Sequence, residues 1–355
     1  MPREFEDGAQ RALLRMVMLP ARFAVQAAHL TVPATRWQMV EGAIRKSDAD
    51  LVMLDLEDSI PRDDATALEL GRANVVRALS ELDWGRKLRF FRPRGVDLDP
   101  RLDDLRFVLP RAREKLEGIV VPKVLGPDDV MRFDHALAEI ERAEGLEVGR
   151  VKMQVLIESV TAEEQAFEVA RATSRLVGLV FGAFDYWSSL RMALVDYRFD
   201  HPAVDAARLR IVKAAASVGV PAIAEMTTDY PTKEKTPAER ESALATCVRH
   251  AEHARDLGMA GKWAGHPAQV APLLTVFAPS TATISRALGH VRAFRDAELR
   301  GLGAIMIDGQ MADRATDRMN RMTLAAAAAR SMLDVGVVEE LALSELASGD
   351  GHLNR

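Results

Sequence analysis

Short apolar runs recur along this chain, separated by segments whose apolar positions return every three to four residues. Eight runs stand out: His29–Pro33, Leu51–Leu56, Leu88–Phe91, Gly118–Val121, Met153–Ile157, Val177–Phe181, Val220–Ala224 and Ala260–Ala264. An apolar run of this length, bounded by polar residues, predicts a strand buried on both faces, and the helical patterns between runs predict crossovers. Eight such units, with no later block of strands only, predict an α/β fold, a (β/α)8 TIM barrel over residues 28–299. A doubly wound open sheet is the competing arrangement, but its glycine-rich dinucleotide fingerprint after an early strand is missing.

Residues 1–27 read as an N-terminal extension. Residues 300–355 read as a C-terminal helical lid, following a helix-like run from Ala282 to Leu299. Gly301, Gly303 and Gly309 around apolar Ile305–Ile307 predict a hinge, and a last helix should run through Ala325–Ala329. The tail from Ser344 to Arg355 is polar and is expected to fray.

The polar residues that follow the strands change the picture from fold to chemistry. The run ending at Ile157 delivers Glu158, and the run ending at Phe181 is followed by Asp185. Carboxylates after successive parallel strands face one mouth of a barrel, where active sites sit. Oxygen ligands with no Cys or His beside them suit a hard divalent cation, Mg²⁺ or Mn²⁺. Helix capping or pairing with arginines accounts for the same two residues equally well at this point. Strand two ends in Asp55-Leu56-Glu57-Asp58-Ser59, strand three in Arg92-Pro93-Arg94-Gly95, strand four in Pro122-Lys123 and strand eight in Gly265-His266-Pro267. Singly, each is explained by a cap, a solvated stem or a turn. Together they fit a site that takes an acidic substrate through a metal and at least one arginine.

Composition narrows the class. Hydrophobic residues at 48% and charged residues at 28% describe an ordinary globular protein. A formal net charge of −5 gives no reason to expect nucleic acid or an anionic membrane as partner. The one cysteine, Cys247, excludes an intramolecular disulfide, fits a reducing cytoplasm, and in a helix-like segment reads as a buried small hydrophobe. No stretch approaches the roughly 20 apolar residues of a membrane span. Leu13–Val25 is apolar but is preceded by Glu4, Glu6 and Asp7, which argues against a secretory or transit signal.

Leu54-Asp55-Leu56-Glu57-Asp58-Ser59, then Arg92, Val121-Pro122-Lys123, Ile157-Glu158-Ser159, Phe181-Gly182-Ala183-Phe184-Asp185 and the segment from Gly261 to Gln269 form an ordered set. In that order they resemble the citrate lyase β-subunit and malyl-CoA lyase family, within the HpcH/HpaI aldolase and citrate lyase superfamily. The likeness runs from about His29 to Met332 and is nearest to the malyl-CoA lyase branch. It implies a Mg²⁺-dependent carbon–carbon lyase that splits a 3-hydroxyacyl-CoA, such as malyl-CoA or citramalyl-CoA, into an acyl-CoA and a 2-oxo acid. Glu158 and Asp185 fall on the family's metal ligands, Arg92 on its oxyanion arginine, and Glu57 and Asp58 on the acids that order metal-bound water. Arg36 falls on a residue that meets CoA phosphates. Asp313 falls on a lid aspartate that enters a neighbouring subunit's site, so a homo-oligomer, trimer or hexamer, is implied. Lys123, His266 and Arg94 complete the candidate substrate contacts.

The chemistry asks for these residue types on its own terms. Cleavage leaves an enolate on the thioester oxygen, which needs a fixed cation such as Arg92. A chelating 2-oxo acid suits one divalent metal, and a mobile carboxylate can move the proton. The chain departs from the family in four places: Pro93 and Arg94 follow the arginine, Gly265 precedes the histidine, strand seven runs into Glu225-Met226-Thr227-Thr228-Asp229, and a second basic residue is absent near Glu41. Arg94 is therefore a candidate for binding an extra carboxylate. Competing readings are a lyase subunit that needs an acyl carrier protein and a metal-dependent aldolase acting on free 4-hydroxy-2-oxo acids.

Overall fold

The computed structural model describes residues 19–341. Most of the N-terminal extension and the tail from Ser344 lie outside the described residues. The described residues divide into two units, one spanning Gln26–Phe277 and the other containing residues 278–341 together with 19–25.

The first unit is a closed barrel in which eight parallel strands pair in sequence order, the last with the first. The strands are β1 Ala28–Pro33, β2 Leu51–Asp55, β3 Leu88–Arg92, β4 Gly118–Val121, β5 Lys152–Ile157, β6 Leu176–Phe181, β7 Ala222–Ala224 and β8 Gly261–Ala264. All eight expected strands are present, most within two residues of their expected bounds. Helices α1 Trp37–Lys46, α2 Ala65–Glu81, α3 Asp103–Ala112, α4 Pro127–Ala143, α5 Val160–Glu164, α6 Ala166–Arg171, α7 Ala183–Ser189, α8 Pro202–Ala216, α9 Pro237–Asp256 and α10 Val270–Phe277 follow the strands.

Alternation along each strand sends one set of side chains outward. Leu30, Val52, Leu54, Phe91, Val121, Val155 and Phe181 join the helices in one continuous core. Cys247 belongs to the same core and is buried, as its surroundings in the sequence implied. The alternate set points inward and turns polar toward the strand ends. The register places Asp55 beside Arg92.

The second unit contains α11 Thr281–Leu299, strands β9 Ala304–Ile307 and β10 Gln310–Asp313, α12 Arg314–Ala329 and α13 Val335–Glu340. Here the structure corrects the expected boundary. Helix α11 belongs to this unit because its apolar face, Ile284, Ala287 and Val291, packs on Leu324, Ala327 and Leu341. The glycine-punctuated stretch is an ordered hairpin, with Gln310 opposite Ile307. Gly301 ends α11: its N–H bonds Glu298 O at 2.9 Å and the next N–H bonds Ala297 O at 3.0 Å, the pairing of a Schellman stop. Asp308 and Gly309, with φ of 49° and 75°, form the two-residue turn whose positive φ values favour Asp-Gly. Among the described residues, no helix is long and apolar enough to cross a membrane.

Candidate active site

The loop after β2 is tied down by its own strand. Asp55 Oδ1 accepts the N–H of Glu57 at 3.0 Å and Oδ2 that of Ser59 at 3.0 Å, which curls Glu57 and Asp58 over the mouth. Neither Asp58 nor Ser59 caps α2; Asp64 does, accepting from Ala67. The same Asp55 carboxylate meets Arg92 in a two-pronged pair, Nε to Oδ1 at 2.7 Å and Nη2 to Oδ2 at 2.9 Å. Both residues are buried. Burial alone would raise the Asp55 carboxyl, but the Arg92 charge and hydrogen bonds outweigh it and hold it below the usual range. The acids likewise overcome burial at Arg92 and keep it charged. Its remaining edge faces the site: Nη1 lies 3.2 Å from Asp58 Oδ2 and 2.8 Å from Glu57 Oε2. The second contact is off-axis, so Glu57 Oε2 accepts no hydrogen bond although it is buried.

Lys123, just after β4, reaches into the same space. Its Nζ stands 3.0 Å from Asp185 Oδ2, 3.4 Å from Glu158 Oε2, 3.6 Å from Glu57 Oε1 and 4.0 Å from Asp58 Oδ1. Its backbone N–H donates to Glu158 Oε1 at 2.6 Å. Gly182 leaves room for Glu158, since a Cβ there would come within 2.6 Å of Glu158 Cβ. Asp185 sits in the first turn of α7 and is exposed.

Five carboxylates, Asp55, Glu57, Asp58, Glu158 and Asp185, thus face two cations. The imbalance appears in the acids. Burial pushes the Glu57 carboxyl up to about 8, with Arg92 opposing and Asp58 adding to the rise. Burial likewise raises Glu158 to about 7, with Lys123 opposing and Asp185 adding. A divalent cation fits this excess of negative charge and the orphaned Glu57 oxygen, and the all-oxygen donor set suits Mg²⁺ or Mn²⁺. Among the described residues, no group of three Asp, Glu, His or Cys side chains is arranged to hold a metal by itself.

The other candidates divide. Arg36 is exposed before α1, beyond the end of β1 and hence on the same rim, and makes no side-chain cap. His266 follows β8 as a turn residue: its Nδ1 accepts from Ala268 N at 3.2 Å, and burial lowers its affinity for a proton. Arg94 has another task than the extra carboxylate proposed for it. Its Nε and Nη2 meet Asp104 at 3.0 and 3.1 Å, and Nη2 is 3.3 Å from Asp99, pinning the loop before α3. Asp313 lies in the second unit as the N-cap of α12, accepting from Ala315 and Thr316 at 3.0 Å each.

Two departures at the rim acquire physical reasons. A Cβ on Gly265 would come within 2.4 Å of the Tyr230 hydroxyl, so the glycine accommodates that ring. Glu225 is drawn into a buried pair with Arg208 and is spent there.

Asp55 joins the site without standing among the sequence candidates. Its parity with inward-facing Met53, and its place at the last position of a strand beside Arg92, were the available signals.

The family model for HpcH/HpaI aldolase/citrate lyase matches residues 28–267, the span of the barrel. The chain belongs to this family. An L-malyl-CoA/β-methylmalyl-CoA lyase from Rhodobacter capsulatus is 31% identical over 313 residues, covering 84% of this chain and 93% of that protein. Among solved structures, a citrate lyase from Burkholderia xenovorans superposes with a TM-score of 0.72 at 22% identity, covering 89% and 96% of the two chains. The protein CitE from Mycobacterium tuberculosis, in complex with magnesium, acetoacetate and coenzyme A, superposes with a TM-score of 0.64 at 21% identity, over 86% and 99%. The family's matched span contains Arg36, both strand-end acid pairs, Arg92, Lys123 and His266, and stops short of Asp313.

Proposed function

We propose that the protein is a Mg²⁺-dependent carbon–carbon lyase acting on a 3-hydroxyacyl-CoA, releasing or joining an acyl-CoA and a 2-oxo acid. The observation that carries this reading is the convergence of one locked arginine and four strand-end carboxylates at a single barrel mouth. The lyase from Rhodobacter capsulatus supports the reaction class, and the magnesium and coenzyme A bound by CitE support the cofactor and the thioester.

Glu158 and Asp185 are the metal's ligands in this reading. When bound, Mg²⁺ polarises the carbonyl of the 2-oxo acid as a Lewis acid. Cleavage removes the proton from the substrate's 3-hydroxyl and breaks the bond between its α-carbon and the carbinol carbon. The electron pair becomes the enolate of the thioester, which is then protonated at the α-carbon. Arg92 offers its Nη1 edge to the enolate oxygen, and because Asp55 already fixes the guanidinium, little reorganisation is needed as charge develops. Glu57 and Asp58 border that edge and orient water. Lys123 and His266 contact the acidic end of the substrate, and Arg36 meets the phosphates of CoA.

Asp313 is the proton-carrying group, presented by one subunit to the site of another in a homo-oligomer. Support comes from the second unit, where Met306 and Met311, paired across the hairpin, and Met319 and Met322, three residues apart on α12, are all exposed, apolar surface of the kind subunit contacts cover.

The test is a panel of acyl-CoAs incubated with glyoxylate or pyruvate, with and without Mg²⁺, followed by mass spectrometry of the thioesters. A metal-dependent 3-hydroxyacyl-CoA is the expected product. If a protein that binds Mg²⁺ converts none of the pairs, the reading is wrong.

A further inference from the structure

Lys123 is held in a way that a solvated surface lysine is not. Its φ of 53° lies in the left-handed region, which non-glycine residues seldom adopt and which concentrates at functional sites. Gly95 on the facing loop borders its stem: a Cβ there would approach Lys123 Cβ to 3.0 Å and Cγ to 3.3 Å. The ammonium is thereby delivered among Asp185, Glu158, Glu57 and Asp58, at 3.0 to 4.0 Å. Two of these acids are the ones read above as ligands of the metal.

An ammonium and a divalent cation are drawn to the same cluster of oxygens, and held there together they would repel each other. We infer that Lys123 is a resident cation that holds the four carboxylates together and is displaced when the divalent metal arrives, its side chain swinging out toward the anionic substrate. This rests on the metal reading above. Lysine suits the part, because its compact charge rides on a flexible four-carbon stem, whereas an arginine fork would grip the carboxylates bidentately. One anchor of Glu158 survives the swing, the Lys123 backbone N–H on Oε1 at 2.6 Å, while the 3.4 Å bond from the ammonium to Oε2 is given up. Metal affinity is then set by a competition. Removing the lysine charge should tighten metal binding, the opposite of what loss of an ordinary neighbouring contact would do.

Calorimetric titration of Mg²⁺ into the wild type, Lys123→Gln and Lys123→Met tests the competition without reference to activity. The expected result is affinity tighter by about tenfold or more in both variants. Unchanged or weaker binding in both, with normal binding by the wild type, overturns the inference and leaves the metal reading standing. A wild type that binds no Mg²⁺ removes both. A second measurement needs no variant: brief acetylation of the wild type with acetic anhydride, with peptide mass spectrometry at Lys123. Labelling should rise several-fold when Mg²⁺ is added, because the ammonium leaves its carboxylates. Labelling that stays level or falls contradicts displacement.

Discussion

Asp55 and Arg92 stand opposite one another in register on β2 and β3 and are joined by two hydrogen bonds, of 2.7 and 2.9 Å. The pair fixes the plane of the guanidinium, and the same carboxylate fixes the loop that carries Glu57 and Asp58. Asp55 is thus a positioning residue for the arginine and for two of the acids around it.

Asp55→Asn keeps the shape but gives up the charge and one of the two paired acceptors. It should lower kcat by about 10²-fold, comparable to losing one oxyanion donor, with a smaller change in KM. Arg92→Lys should cost at least as much, since a lysine offers neither the fork nor its reach. Arg94→Ala is the contrast: it should lower the melting temperature, because Asp104 loses a partner in the interior, and leave kcat largely intact. Steady-state kinetics with thermal melts on the three variants decides. A kcat loss confined to Arg94→Ala would reverse the roles of the two arginines.

Glu158→Gln and Asp185→Asn should each weaken Mg²⁺ binding and abolish turnover. Gly182→Ala should do the same at one remove, because its methyl would displace the Glu158 side chain. Calorimetry that finds wild-type Mg²⁺ affinity in both acid variants would exclude these residues as ligands.

Asp313 caps α12, and Asn caps a helix about as well as Asp. Asp313→Asn should therefore fold and melt normally while turnover collapses, if the carboxylate also carries the proton. Mixing inactive Asp313→Asn subunits with inactive Glu158→Gln subunits tests which site it serves. Sharing across subunits should restore some activity, because certain sites then receive an intact metal pair and an intact Asp313. Verified mixed oligomers with no activity would show that the residue does not complement across subunits.

His29 is wholly buried in β1, where desolvation pushes its imidazole down to about 3 from an ordinary 6.5, against a weak raising contact with the Gln26 backbone. It is neutral in the folded barrel but takes a proton in the unfolded chain below pH 6.5. The unfolded state then binds more protons, so stability is full above that value and falls as pH drops toward 3, by up to about 1.4 kcal/mol per pH unit. His29→Leu should flatten that part of the stability curve. Urea melts between pH 7 and pH 4 that keep the wild-type slope in the variant would assign the acid sensitivity to other groups.

The pattern of apolar positions is enough to dictate the barrel. Eight apolar runs of strand length separated by amphipathic segments admit few arrangements, and parallel strands buried on both faces need helices around them. It also determined which acids share a mouth, because Glu57, Asp58, Glu158 and Asp185 follow strand ends, and all parallel strand ends point one way. What the order of residues does not carry is side-chain pairing across strands. Arg92 and Arg94 are two residues apart in similar company. Only the register of β2 against β3 gives the first to Asp55, and only the packing of the loop before α3 gives the second to Asp104. Gly301 and Gly309 illustrate the same limit, since a glycine that ends a helix or turns a hairpin looks, in one dimension, like a hinge. Lys123 is the sharpest case: a lone lysine after a proline gains its meaning from a left-handed backbone and four carboxylates contributed by three different segments, a coincidence that exists only in three dimensions.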